Sequence, residues 1–321
     1  MDGRDVVMRA VEFREPGRIP LAKGDAADIG YVGYGPARDF APAAPKTDEW
    51  GCAWDSFHPD EGDQGQVTGH PLADWDAMDR YEFPDPLAAG RLDAAPAAIR
   101  RLRAEGKFVC GGLGRGPMHL LPDLRGFEDY LTDLVVAPER LERLLDGIFR
   151  FLSGLTERYA DLGCDAVIFY DDQATQSGPL FSMDLWRERF KPRYRDLFAQ
   201  VHERGMKAYM HTCGNLSQYL PELVDAGVDI IDNKQPALWM DSPGAAAVRG
   251  QVAFSSCIDI QSRIREIELS EIPREVERLV RALSVPEGGF IGTYYHQADL
   301  RIPAAKTTAM LDAFRAFRWD G

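Results

Sequence analysis

The 321-residue chain has no apolar run approaching the roughly 18 residues that span a bilayer. It has no cationic excess either. Its formal charge is −14 and its pI about 4.9, which excludes the basic footprint that nucleic acid or anionic membrane requires. The five cysteines (52, 110, 164, 213 and 257) are scattered and odd in number, so they read as reduced thiols rather than a disulfide framework. Met1 to Arg18 is studded with Asp, Arg and Glu and lacks the apolar core of a secretion signal. A cytoplasmic protein is expected. With 45% hydrophobic and 27% charged residues, the chain is globular and carries enough apolar surface for a large core.

From about residue 100, short β-rich runs alternate with helical patterns. The runs are 107–112, 165–170, 206–211, 228–232, 252–257 and 289–293. Between them the spacing predicts helices over 141–159, from Ser182 to Gly205 with a break at Pro192, over 216–226 and 273–283, and from Pro303 onward. Repeated strand-then-helix units over this length predict a single (β/α)8 TIM barrel filling 1–321, with a doubly wound sheet as the alternative. Residues 30–95 are rich in Gly, Pro, Asp and aromatics and show little periodicity. They read as an irregular insertion near the barrel mouth.

The chemistry concentrates where strands end. His211 and Cys213 follow the Met206 to Met210 run, and residues i and i+2 of a strand share a face. An imidazole and a thiol aimed into one pocket are two ligands of a zinc ion. His296, after the last strand, is a third candidate, with Cys257 competing. Asp171 and Asp172 end the 165–170 run as candidates to bind metal, move a proton or anchor substrate, or simply to cap the loop. Arg115 in the glycine-rich 111–116 loop, with Gln173, Gln235 and Tyr294, supplies candidate substrate contacts. That loop lacks G-x-G-x-x-G spacing, so no dinucleotide is expected there.

Together these residues resemble the uroporphyrinogen decarboxylase superfamily, and within it the branch of zinc- and corrinoid-linked methyltransferases. The likeness rests on Arg14-Glu15-Pro16-Gly17-Arg18-Ile19-Pro20, Asp48 to Trp54, Tyr81 to Pro86, Asp171-Asp172, Ser182 to Trp186, His211 to Gly214 and Ala226 to Asp229. The resemblance implies a (β/α)8 barrel with zinc held by His211, Cys213 and a residue seven positions before a proline, here His296 before Pro303. No acidic further ligand is found around Asn233-Lys234-Gln235. The arginine-rich segment that holds porphyrinogen propionates has no counterpart after Pro20, which argues against porphyrinogen decarboxylation. The resemblance implies a methyltransferase acting between a small donor or acceptor, such as an aryl methyl ether, and a corrinoid. The corrinoid (cobalamin) belongs to a partner protein, because this chain lacks D-x-H-x-x-G. A homodimer is compatible with this reading. The competing expectation is a decarboxylase or lyase of a non-porphyrin carboxylate using Arg115 and Asp172.

Overall fold

The computed structural model describes residues 1–55, 65–136, 138–295 and 300–319. Among the described residues eleven strands are formed: β1 (Ile29–Val32), β2 (Ala53–Asp55), β3 (Gln66–Gly69), β4 (Phe108–Arg115), β5 (Ala166–Tyr170), β6 (Ala174–Thr175), β7 (Gly178–Pro179), β8 (Lys207–His211), β9 (Ile230–Asn233), β10 (Ala253–Ser256) and β11 (Phe290–Gly292). Seven of them build one sheet in the order β1-β4-β5-β8-β9-β10-β11, with every pair parallel. The other four form two small antiparallel hairpins.

Eight strands were expected; seven are drawn among the described residues. At the β11 edge Leu21 makes a single parallel bridge to Gly292, flanked by hydrogen bonds from Ala22 N to Gly292 O and from Gly292 N to Pro20 O. The sheet curls around its own inner face. Ile29, Phe108, Cys110, Ala166, Ile168, Tyr209, Ile230, Ala253 and Ile291 all meet in one buried cluster, from seven different strands. Val7 and Val11 join it from the N-terminal helix Gly3–Val11.

The outer face is covered by amphipathic helices. Helix Pro138–Asp161 places Leu141, Leu144, Leu145, Ile148, Leu152, Leu155 and Tyr159 on one fully buried stripe, as the three-and-four spacing predicted. Burying each such side chain contributes about 1.5–3 kcal/mol. Gly163, at φ +78°, lets the chain turn out of that helix into β5. The Pro192 break is real: Met183–Arg189 and Lys191–Glu203 are separate helices, and the Ser182 side chain caps the first by accepting from Leu185 N. Among the described residues, no helix is long and apolar enough to cross a membrane.

The described residues between 30 and 95 are more ordered than their composition suggests. The first strand of the sheet lies at their start, and a hairpin (β2–β3) follows. Buried Arg91 fastens the rest: it ion-pairs with Glu49 at 2.7 Å and donates to Asp85 O and Gly35 O. The glycine-rich loop also has a structural explanation. A Cβ on Gly111 would stand 2.4 Å from the Tyr159 ring, so this glycine permits helix Pro138–Asp161 to seat against β4.

Candidate metal centre

Where the parallel strands end, a cavity of about 1060 Å³ opens. Its lining follows the two-residue period of a strand. Ile168, Tyr170 and Asp172 face it from β5, Tyr209, His211 and Cys213 from β8, Asp232 and Lys234 from β9, and Thr293 and Tyr295 from the end of β11. The β2–β3 hairpin adds Trp54, Gln66 and Val67, while β1 adds Tyr31.

Asp172, His211 and Cys213 offer three ligand atoms that all lie within 4.8 Å of one another. Cys213 Sγ is 3.5 Å from His211 Nε2, and Asp172 Oδ1 is 3.9 Å from the same nitrogen. Asp172 Oδ1 also accepts from Cys213 N at 2.7 Å, which ties the two strand ends together. Gly214 makes the turn that follows. Its φ is +86°, and a Cβ there would meet Ala174 O at 2.1 Å, so only glycine lets the chain leave Cys213 in this direction.

The imidazole is held from behind. Asp232 Oδ2 lies 2.5 Å from His211 Nδ1, while its Oδ1 is bonded by Lys234 and by Ser255 Oγ at 2.7 Å. Burial works against the charge of Asp232, but the Lys234 ammonium and the His211 ring outweigh it and hold the carboxyl well below the usual range. A carboxylate on Nδ1 fixes the tautomer that presents the Nε2 lone pair to the cavity. Burial pushes the Cys213 thiol well above its ordinary value, and the Asp172 and Asp232 carboxylates push it further. Such a thiol is no free nucleophile at neutral pH; it needs a cation to lose its proton. Sulfur, imidazole nitrogen and carboxylate oxygen form a donor set that suits zinc, and the residues present fit that ion.

The other expected residues are distributed by strand parity. Asp171 and Gln173 alternate with Asp172 and, unlike it, are not among the residues that line the cavity. Asp171 is fully buried and accepts from Met118 N at 2.7 Å, from Tyr194 Oη and from Gln173 Nε2 at 3.1 Å. Burial raises its pKa to about 7. Gln173 Oε1 accepts from Trp186 Nε1 at 2.7 Å and its Nε2 donates to Tyr194 Oη at 2.9 Å, pinning two helices to the end of β5. Gln235 is buried and accepts from Gly214 N at 2.7 Å; it shapes the turn after Cys213 and does not line the cavity. Tyr294 lies between the lining residues Thr293 and Tyr295 and is not one of them. Cys257 is buried outside the cavity lining, and burial raises its thiol to about 12. His296 lies outside the described residues. Arg115 does reach the cavity.

The profile of the uroporphyrinogen decarboxylase (URO-D) family matches residues 55–317. The chain belongs to that family. It is similar to the methylated-thiol–coenzyme M methyltransferase of Methanosarcina mazei, at 24% identity over 192 residues that cover 55% of this chain and 51% of that relative. The match thus spans about half the length of the curated relative. A solved structure described as a methyltransferase from Methanosarcina mazei superposes with a TM-score of 0.62 at 18% identity, over 83% of this chain and 75% of that one. At that identity the likeness is one of fold.

Three residues of the site were missed in the sequence. Asp232 and Lys234 were legible in principle, because the two-residue rule that selects His211 and Cys213 applies equally at the end of β9. His119 had no such signal. It sits in helix Pro117–Arg125, and its Nε2 accepts from Asp172 N at 3.3 Å and lies 3.8 Å from Asp172 Oδ2. Burial lowers the pKa of His119, against the opposing pull of Asp172.

Proposed function

We propose that this member of the family is a zinc-dependent methyltransferase. It moves a methyl group between a small substrate and a corrinoid carried by a partner protein, on a (β/α)8-type single domain in which Leu21 stands for the eighth strand. The carrying observation is the convergence of ligand atoms of His211, Cys213 and Asp172 within 4.8 Å on the lining of a cavity. His211 and Cys213 hold the metal with one or both of Asp172 and His296. When bound there, zinc supplies Lewis acidity toward a heteroatom of the substrate.

The chain's own residues do the rest. Asp232 fixes the His211 ring, and Asp172 orients the Cys213 backbone through its N–H. His119 stands beside Asp172, where it takes or returns a proton on the cavity side. Tyr31, Trp54, Tyr170, Tyr209 and Tyr295 wall the space, which suits an aryl methyl ether or another compact methylated donor. The name of the Methanosarcina relative supports methyl chemistry on sulfur as well.

The test is the zinc content of the purified protein against a His211→Ala/Cys213→Ala variant, followed by methyl transfer from methoxylated and methylthio donors to cob(I)alamin. About one zinc per chain, lost in the variant, together with zinc-dependent transfer, is the expected result. Full zinc loading with no transfer from any donor would sink the reading. A second reading is supported by the basic side chains of the cavity (Lys23, Arg115 and Lys234): a metal-free carboxy-lyase of a small carboxylate. Protein that carries no zinc yet releases CO2 from such a substrate would establish it.

A further inference from the structure

The hydrogen bonds behind the His211 ring do not end at Asp232. In the sheet His211 is paired with Asp232, and Asp232 with Ser255, so β8, β9 and β10 set the three residues side by side in one row. Ser255 is completely buried, and its Oγ donates to Asp232 Oδ1 at 2.7 Å. Tyr209 lies two residues before His211 on the same face of β8, and its hydroxyl bonds to Ser255. It bonds as well to the hydroxyl of Tyr31. Tyr31 stands on β1, three strands from β8 in the sheet order, where a flat sheet would hold the two strands roughly 14 Å apart. The curl of the sheet brings the two phenols together in the cavity, which both line.

The direction of these bonds follows from counting protons. A hydroxyl has one proton to give, and a carboxylate only accepts. Ser255 gives its proton to Asp232, so Tyr209 donates to Ser255 Oγ and Tyr31 donates to Tyr209 Oη. A phenol with an ordinary pKa of about 10 holds the proton that this requires. All three donors then point toward Asp232, and each polarises the next, which strengthens the chain beyond its separate bonds. The Lys234 ammonium meets the same Oδ1. These donors occupy Oδ1 and leave Oδ2 turned to His211 Nδ1.

We infer that Tyr31, Tyr209 and Ser255 are positioning residues of the metal centre. They form a hydroxyl chain that starts on the far side of the cavity, fixes the rotation of the Asp232 carboxylate, and through it holds the His211 ring. The inference rests on the proposed function only for the metal, because the chain acts on the ring whether or not an ion is bound.

Heteronuclear correlation spectra of the full, metal-stripped chain, labelled with the heavy nitrogen isotope at histidine, test this. His211 is identified by the signal that His211→Ala lacks. Its Nδ1 proton should be shifted downfield by the bond to Asp232. Tyr209→Phe and Ser255→Ala should each move that proton upfield and speed its exchange with water by on the order of tenfold. Tyr31→Phe should do so to a smaller degree, and Ser255→Thr, which keeps the hydroxyl, should restore the signal. Zinc affinity, measured against a chromophoric chelator, should fall about three- to tenfold in Tyr209→Phe and Ser255→Ala, less than the loss expected for Asp232 itself. The two losses should not multiply: with Ser255 gone the chain is already cut, so the double variant should match Ser255→Ala. Multiplying losses, or a proton signal unmoved in Tyr209→Phe, would overturn the inference. Tyr209→Phe removes a single atom, so it decides the question even where Ser255→Ala fails to fold. The two readings fall separately. A protein that takes up no zinc, yet shows the coupled shifts of the Nδ1 proton, keeps the hydroxyl chain and loses the metal. One that binds zinc with an affinity indifferent to all three hydroxyls keeps the metal and loses the chain.

Discussion

Asp232 and His211 meet back to front: the carboxylate closes on Nδ1 at 2.5 Å, and the opposite ring nitrogen faces Cys213 Sγ at 3.5 Å. The pair gives the imidazole one orientation and one tautomer. Asp232→Ala removes both constraints and leaves the Lys234 ammonium buried without its partner. Zinc affinity should fall by about 10- to 100-fold, the range expected when the partner of a ligating histidine is lost. Competition with a chromophoric chelator measures it. An unchanged affinity in folded protein would show that His211 is not a ligand.

Zinc uptake should release a proton. The raised Cys213 thiol is protonated near neutral pH in the metal-free protein, so binding must displace that proton. Apparent affinity then rises with pH by about tenfold per unit for each proton displaced, as long as the pH stays below the thiol's own value. Titration in buffers of different ionisation enthalpy counts the protons. In Cys213→Ala the thiol's share of this slope should vanish.

Two adjacent aspartates should fail in opposite ways. Asp172→Ala removes a cavity-facing carboxylate, so zinc affinity should drop while the midpoint of urea unfolding moves little. Asp171→Ala leaves Met118 N and Tyr194 Oη without their carboxylate acceptor in a buried gap, while Gln173 Nε2 keeps its bonds to Asp171 O and Tyr194 Oη. That change should cost roughly 2–5 kcal/mol of stability, because unpaired buried donors are expensive. Zinc bound per folded chain should stay the same. Loss of zinc affinity in both variants would show that the parity assignment is wrong.

What could be read in the sequence followed strand periodicity. His211 and Cys213 were found because the i, i+2 rule was applied to a run whose face was clear. At Asp171-Asp172-Gln173 the same rule admits only alternate residues to the cavity, and Asp172 is the one that lines it. Tyr294 is flanked by Thr293 and Tyr295, and those two line the cavity. Six strands of the sheet were legible as β-rich runs. The seventh, Ile29–Val32, was hidden because it is four residues long and adjoins a glycine-, proline- and aromatic-rich segment. Leu21, at the β11 edge, makes one bridge, to Gly292, and carries no periodic signal at all. Arg115 looked available in sequence; Asp48 and Asp123, brought in by the fold from 67 and 8 residues away, already balance it.

The 30–95 segment supplies the last test, because one ion pair carries much of its order. Arg91 has a side chain only 1% exposed and packs its guanidinium 5.2 Å from the Phe151 ring centre and 5.8 Å from that of Tyr34. Glu49 is its only carboxylate partner among the described residues, and Glu49 Oε1 also accepts from Ala37 N at 2.8 Å. Glu49→Ala strands a buried charge, so it should cost roughly 3–5 kcal/mol. Replacing both partners by leucine removes the charge together with its desolvation penalty, and the double variant should be more stable than Glu49→Ala alone. Urea unfolding of the two proteins gives the comparison. If the single and double variants are equally destabilised, the pair's hydrogen bonds to Gly35, Ala37 and Asp85 matter more than its charge balance. The segment is then held by its backbone contacts, and the Trp54 wall of the cavity depends on those instead.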